Sequence, residues 1–235
     1  MASTIQLSRT IQTTQTTLGG YPLMGVLGYT NEPGFSLGDW VRNLILSPPF
    51  AWRWNRAVAT FATAAGTQDY SQALATFGWV EKIIISDGVK PYEMEIAIDL
   101  PSTLTQQRPH RAGAQLDDDA GNITFRFFPV PDKIYTATVI YQLASPNFAN
   151  LTDTWAPIPD YLSYIYNEGF LAKAFEYVGD PRYGGTMQLF LRLLTSANEG
   201  LSDTQKNLFI TMQQIQSQRQ GPAAIRATER ESVPA

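Results

Sequence analysis

Asp117, Asp118 and Asp119, followed by Gly121 and Asn122, form the most chemically suggestive cluster in the sequence. Oxygen ligands beside a glycine can make a calcium loop, but an EF-hand alternates its ligands and ends on a bidentate Glu. Here the acids are adjacent and run straight into a β-favouring segment. Asp, Asn and Gly are also the usual residues of turns, so an acidic hairpin turn is the favoured reading of 117–119 and a divalent-cation site the alternative. Glu93 and Glu95 have strand spacing, which would set two carboxylates about 7 Å apart on one sheet face. Paired-carboxylate glycosidases work at comparable separations; two like charges on the wet face of a hairpin are the plainer reading. Arg108, His110 and Arg111, in the run RPHR, could hold a small anion through charge-assisted hydrogen bonds, or form a solvated loop.

The rest of the catalytic repertoire is missing. The chain has 0 cysteines and 1 histidine, which excludes thiol nucleophiles, thiolate metal sites and a multi-histidine cage within one chain. It also lacks a Gly-rich phosphate loop, a nucleophile elbow and a dinucleotide fingerprint. The expectation is a protein with no catalytic, cofactor-binding or metal-binding residues, acting by assembly and not as an enzyme. The tryptophans offer one other chemistry, since Trp40, Trp52, Trp54, Trp79 and Trp155 could stack sugars or bases. Trp40 falls on the apolar face of a helix and reads as core. Trp52 and Trp54 share a strand face, with packing beneath a helical layer as the default. A carbohydrate-binding module using surface Trp52, Trp54 or Trp79 is therefore the alternative function.

Composition narrows the partners. A net charge of −4 with 16% charged residues gives no basic footprint for nonspecific nucleic-acid binding. Low charge density with 12% aromatics fits an exterior partly covered by other subunits. No segment approaches the ~20 apolar residues of a membrane span, and the N-terminus lacks a secretory h-region, so the expectation is no membrane partner and no export.

The elements that must position these residues read as α+β. Residues 1–35, rich in Thr, Gln and Gly, predict an extended N-terminal arm, with a disordered tail as the alternative; Tyr21 to Leu27 is too apolar to stay in water without a partner surface. Ser36 is the predicted N-cap of a helix over 36–49, with Leu37, Trp40, Val41, Leu44 and Ile45 on one stripe and Pro48 and Pro49 as its stop. A β-rich insertion follows over 50–155, antiparallel and sandwich-like. It contains one hairpin of Trp79–Ile85 with Tyr92–Ile98 across Asp87-Gly88, a loop or short helix over 102–114, and a second hairpin of Ile123–Val130 with Lys133–Leu143 across PVPD. The alternation puts Tyr135, Ala137, Val139 and Tyr141 on one face. Residues 156–218 complete a helical bundle of one N-terminal and three C-terminal helices. Asp160 caps the first of the three, which ends at Gly179; Met187, Phe190, Leu191, Leu194 and Ala197 stripe the second. Ser202 and Gln205 make a capping box for the third. On that last helix Leu208, Met212 and Ile215 form a narrow apolar stripe that needs a partner surface. Residues 219–235 are a C-terminal tail.

This order of elements resembles the head-to-tail adaptor, or connector, proteins of tailed bacteriophages. The likeness is carried by PPFAWRWN at 48–55, GNITFRFFPVPDKIYTATVIYQ at 121–142 and PDYLSYIYNEGFLAKAFEYVGDPR at 159–182. It implies a homo-oligomeric ring, commonly of twelve copies, docked beneath the portal protein and holding the tail or nozzle proteins, with helices side by side in the ring and a projecting β part. It also implies portal contact through a terminal segment, here 219–235 with Arg219, Arg226 and Arg230, and genomic DNA passing through the lumen without sequence-specific binding. The implied location is the neck of the virion, reached from the host cytoplasm during assembly. Another neck or tail-tube component is the neighbouring alternative. The N-terminal arm departs from the pattern, which begins directly with a helix.

Overall fold

The computed structural model describes residues 3–23, 33–74, 76–117 and 122–219. The chain divides into two units, one of Met1–Ile45 with Asn147–Ala235 and one of Leu46–Pro146. Among the described residues there are five α-helices, all in or entering the first unit: α1 (Leu7–Thr17), α2 (Pro33–Leu46), α3 (Ser163–Val178), α4 (Tyr183–Ala197) and α5 (Asp203–Arg219). None is long and apolar enough to cross a membrane.

The predicted extended arm is corrected by α1. Leu7, Thr10, Ile11 and Thr14 recur at helical spacing and are all buried. Half of that stripe is threonine, so a hydropathy reading misses a period that packing reveals. The helix is sewn to its own chain: the Leu7 and Ser8 amides donate to the Asp153 and Leu151 carbonyls, and the Trp155 amide donates to Ile5 O. Trp155 is wholly buried, stacks on Tyr166 and donates its indole N–H to Thr10 Oγ1 at 3.0 Å.

The second helix starts three residues before the predicted cap. Pro33 takes the first helical position, where its missing N–H and fixed φ are no burden, and Ser36 is an exposed residue inside α2. Leu37, Val41 and Ile45 are buried as the stripe predicts. Asp160 does not cap α3; a 3₁₀ turn, Asp160–Leu162, leads into that helix. At the far end Gly179 adopts φ 71°, and the Asp180 amide closes the helix on Phe175 O. Met187, Phe190, Leu191 and Leu194 fill the core from α4, with Thr195 buried beside them. The capping box forms as read: Ser202 N donates to Gln205 Oε1 at 2.9 Å and Gln205 N to Ser202 Oγ at 3.3 Å.

Among the described residues the second unit holds ten strands: β1 (Arg56–Ala62), β2 (Asp69–Ala73), β3 (Phe77–Ser86), β4 (Pro91–Glu93), β5 (Glu95–Ile96), β6 (Gln106–Gln107), β7 (Arg111–Asp117), β8 (Asn122–Phe128), β9 (Val130–Pro131) and β10 (Thr136–Leu143). Two four-stranded sheets, ordered β1-β10-β3-β4 and β2-β8-β7-β5, bury one shared core, while β6 and β9 form a short parallel pair. Ile83, Ile85, Ala137, Val139 and Tyr141 enter from the first sheet and Ile123, Phe125 and Phe127 from the second. The sandwich-like expectation thus holds, but neither predicted hairpin does in full. The first pairs only as far as Glu93, because Met94 turns into the core and Glu95–Ile96 joins the other sheet, parallel to β7. The second does not exist: β8 and β10 lie in different sheets, joined by a corner at Pro129–Pro131 where two prolines remove amide donors. Part of the predicted 102–114 loop is strand, in β6 and the start of β7.

The N-terminal end of the β unit is clasped to its C-terminal end. Gln142, fully buried, accepts from Trp52 N at 3.1 Å and donates to Trp52 O at 3.2 Å. Asn55 donates to Leu143 O at 2.8 Å.

Candidate assembly interface

None of the described side chains of helix α5 is buried. Leu208, Met212 and Ile215 are 59%, 54% and 47% exposed, whereas Lys206, Phe209, Ile210 and Gln213, on the other side of the helix, are half-buried. An amphipathic helix normally turns its apolar stripe inward; α5 carries apolar residues on both sides, so the outer stripe stands in solvent in the isolated chain. Arg219 is the last residue of α5, and Arg226 and Arg230 lie outside the described residues.

Two more outward faces were not singled out by sequence reasoning. On α3 and the turn before it, Tyr161 and Tyr164 are 69% and 48% exposed, and Glu168 and Leu171 lie on the same side. On α4, Leu189 is 47% exposed and is followed at helical spacing by Arg192 and Leu193. The signal was legible: Leu189 and Leu193 fall outside the Met187–Phe190–Leu191–Leu194 stripe, so they form a second apolar line. Burial with no compensating cation pushes the Glu168 carboxyl upward.

At the start of the chain, the Asp160 carboxylate accepts the Ser3 hydroxyl at 2.6 Å, the Thr4 hydroxyl at 2.7 Å and the Thr4 amide at 3.0 Å. These donors, the Ser3 and Thr4 hydroxyls foremost, hold its carboxyl below the usual range. Arg42 is buried over the Phe148 ring, and burial lowers its pKa against the opposing pull of Asp39.

The candidate chemistry of the β unit does not assemble. Glu93 and Glu95 end up in different sheets, and each faces its own cation: Lys82 lies 4.0 Å from Glu93, and Arg111 donates to Glu95 at 2.9 Å. The RPHR run is likewise pulled apart, with Arg108 stacked over the Tyr92 ring, Arg111 committed to Glu95 and His110 edge-on to Phe128. Asp117 ends β7, and Asp118, Asp119 and Gly121 lie outside the described residues. Trp52, predicted on a shared strand face with Trp54, is 95% buried and sandwiched between Phe50 and Trp54 just before a 3₁₀ turn. Trp79 donates to Leu46 O, and Trp40 lies beneath the Lys173 ammonium. A sugar platform needs rings open to solvent, which Trp52 and the buried Trp155 do not offer.

No curated protein matches the chain. The family described as SU10 adaptor protein matches it over residues 15–226, a span running from α1 through all ten strands and past α5. The chain belongs to the SU10 adaptor protein family, a family of phage head-to-tail adaptors.

Proposed function

We propose that this protein is a non-enzymatic structural component of the virion neck, a head-to-tail adaptor whose copies close into a ring between portal and tail. The family match over 15–226 carries the reading. It is supported by α5, whose stripe of Leu208, Met212 and Ile215 is exposed and leads in sequence into the segment bearing Arg219, Arg226 and Arg230. An apolar helix face followed in sequence by arginines suits a groove with acidic residues on a larger ring. Twelve copies would match the usual portal partner, and an acidic chain suits a lumen through which DNA must slide without being held.

Mass measurement of the purified chain, with and without the portal ring of the same phage, tests this. The expected result is a defined multimer on the portal ring that is lost when Leu208 and Met212 are both changed to Asp. A protein that stays monomeric and docks on no ring overturns the proposal.

A further inference from the structure

Among the described residues, the two sheets of the sandwich end on β1, β4, β2 and β5, and three of these edges are poor templates for a further strand. β5 is only Glu95–Ile96, β4 is short and begins on Pro91, and β2 begins on Asp69, which is ion-paired to Arg126. β1 differs. Its 7 residues, RAVATFA, pair with β10 in unbroken register and contain no proline or glycine. Its one charge, Arg56 at the first position, is held by Glu81, and Val58 is 62% exposed. A long edge of this kind is what solitary sheet proteins avoid, because its free N–H and C=O groups template another strand.

The phase of the ladder identifies those free groups. One step past the end of β1, the Thr63 amide donates to Tyr135 O at 2.8 Å. Bonding residues alternate along an antiparallel pair, so Ala57, Ala59 and Phe61 bond β10, while Arg56, Val58, Thr60 and Ala62 turn N–H and C=O outward. This outward row is complementary to itself. Two antiparallel β1 strands in full overlap set Arg56 against Ala62 of the second copy, Val58 against Thr60, and Ala59 against Ala59. Every outward residue then meets an outward residue, so both bonds of each pair form. No like charges face each other, and the two Val–Thr pairs are β-branched neighbours on one face, which sheets favour. A head-to-tail sheet between copies lacks this fit: β4 turns outward only Glu93 and Pro91, and the latter has no amide.

We propose that the free chain is a two-fold dimer in which β1 pairs with β1 of a second copy, joining two four-stranded sheets into one. A two-fold contact does not recur between neighbours in a cyclic ring, so this is a contact of the unassembled chain. It covers an edge that would otherwise invite aggregation.

Sedimentation of the full chain alone, without portal, tests this, so its failure leaves the ring reading untouched. The wild type should run as a dimer. Its dissociation constant should rise about tenfold or more in Thr60→Pro, which removes one outward N–H from each copy and no bond to β10. Because the chain has 0 cysteines, Ala59→Cys gives a second arm, which decides if Thr60→Pro does not fold. Residue 59 meets its own copy across the axis with Cα atoms about 4.5 Å apart, within disulfide reach, and should oxidise to a single dimer and no larger species. An Ala59→Cys chain that forms no disulfide dimer overturns the proposal, as does a folded Thr60→Pro chain that dimerises as tightly as wild type. A wild type that stays monomeric at every concentration also overturns it, and leaves β1 as an edge for a strand of another protein.

Discussion

Asp160 accepts the hydroxyl of Ser3 at 2.6 Å, joining residues 157 positions apart. With two further donors from Thr4, it anchors the start of the chain to the turn that opens α3. The residue that looks like a helix cap is thus a long-range latch.

That latch has a pH signature. The folded carboxyl is held below its ordinary value by the Ser3 and Thr4 donors; its stabilisation is therefore complete above the unfolded value, ~3.9, and is lost as pH falls through the folded value. Thermal melts of the wild type and Asp160→Asn should differ at pH 6 and converge toward pH 2. Melts that stay equally separated throughout would show that the charge is irrelevant.

The Trp155 cluster should dominate the stability of the helical unit. Trp155 is fully buried, stacks on Tyr166 at 4.4 Å and meets Phe148 and Phe170 edge-on. Trp155→Ala should destabilise by about 3–5 kcal/mol, and Thr10→Val, which strands the indole N–H, by about 1–3 kcal/mol. Denaturant unfolding followed by far-UV circular dichroism measures both.

Gly113 admits no side chain. A Cβ there would sit 2.1 Å from the Ala97 carbonyl oxygen, where the chain crosses beside β7. Gly113→Ala must push backbone from backbone and should destabilise the β unit by about 1–3 kcal/mol, seen as a lower urea midpoint for the near-ultraviolet signal of its aromatic core.

The buried Gln142 amide serves both backbone polar groups of Trp52 and donates to Glu81 at 2.9 Å, which also holds Arg56. Gln142→Leu removes this bridge at nearly constant volume and should cost about 1–3 kcal/mol. An unchanged midpoint would mean that water replaces the amide.

How much of this was written openly in the sequence depends on the range of the interactions. Local signals were read correctly: the Gly179 terminus, the Ser202/Gln205 box, the core stripe of α4 and the alternation that buries Tyr135, Ala137, Val139 and Tyr141. What failed was partner choice. Nothing local tells β8 that its partners are β2 and β7 and not β10, because alternation fixes which face is buried and leaves the neighbour open. Helix α1 was hidden because half of its buried stripe, Thr10 and Thr14, is threonine, and Thr10 is held by Trp155 and Asn167, far along the chain. The outer line of α4 was legible, since Leu189 and Leu193 fall outside the core stripe, whereas the Tyr161 and Tyr164 face of α3 is marked only by its exposure.

The split first unit also sets an order of events during synthesis. Helix α1 leaves the ribosome long before its main supports, Trp155, Tyr166 and Asn167, exist. The β unit, whose ends are clasped by Trp52 and Gln142, is complete by Pro146. At ~5–20 residues per second, the N-terminal segment waits several seconds for a partner while the sandwich folds. A threonine-rich helix face is well suited to that interval, since it keeps the nascent segment soluble in a way a run of leucines would not. Nascent chains arrested at a length where Pro146 has cleared the ribosomal exit tunnel and Trp155 has not should therefore carry a protease-resistant β unit and a cleavable N-terminus.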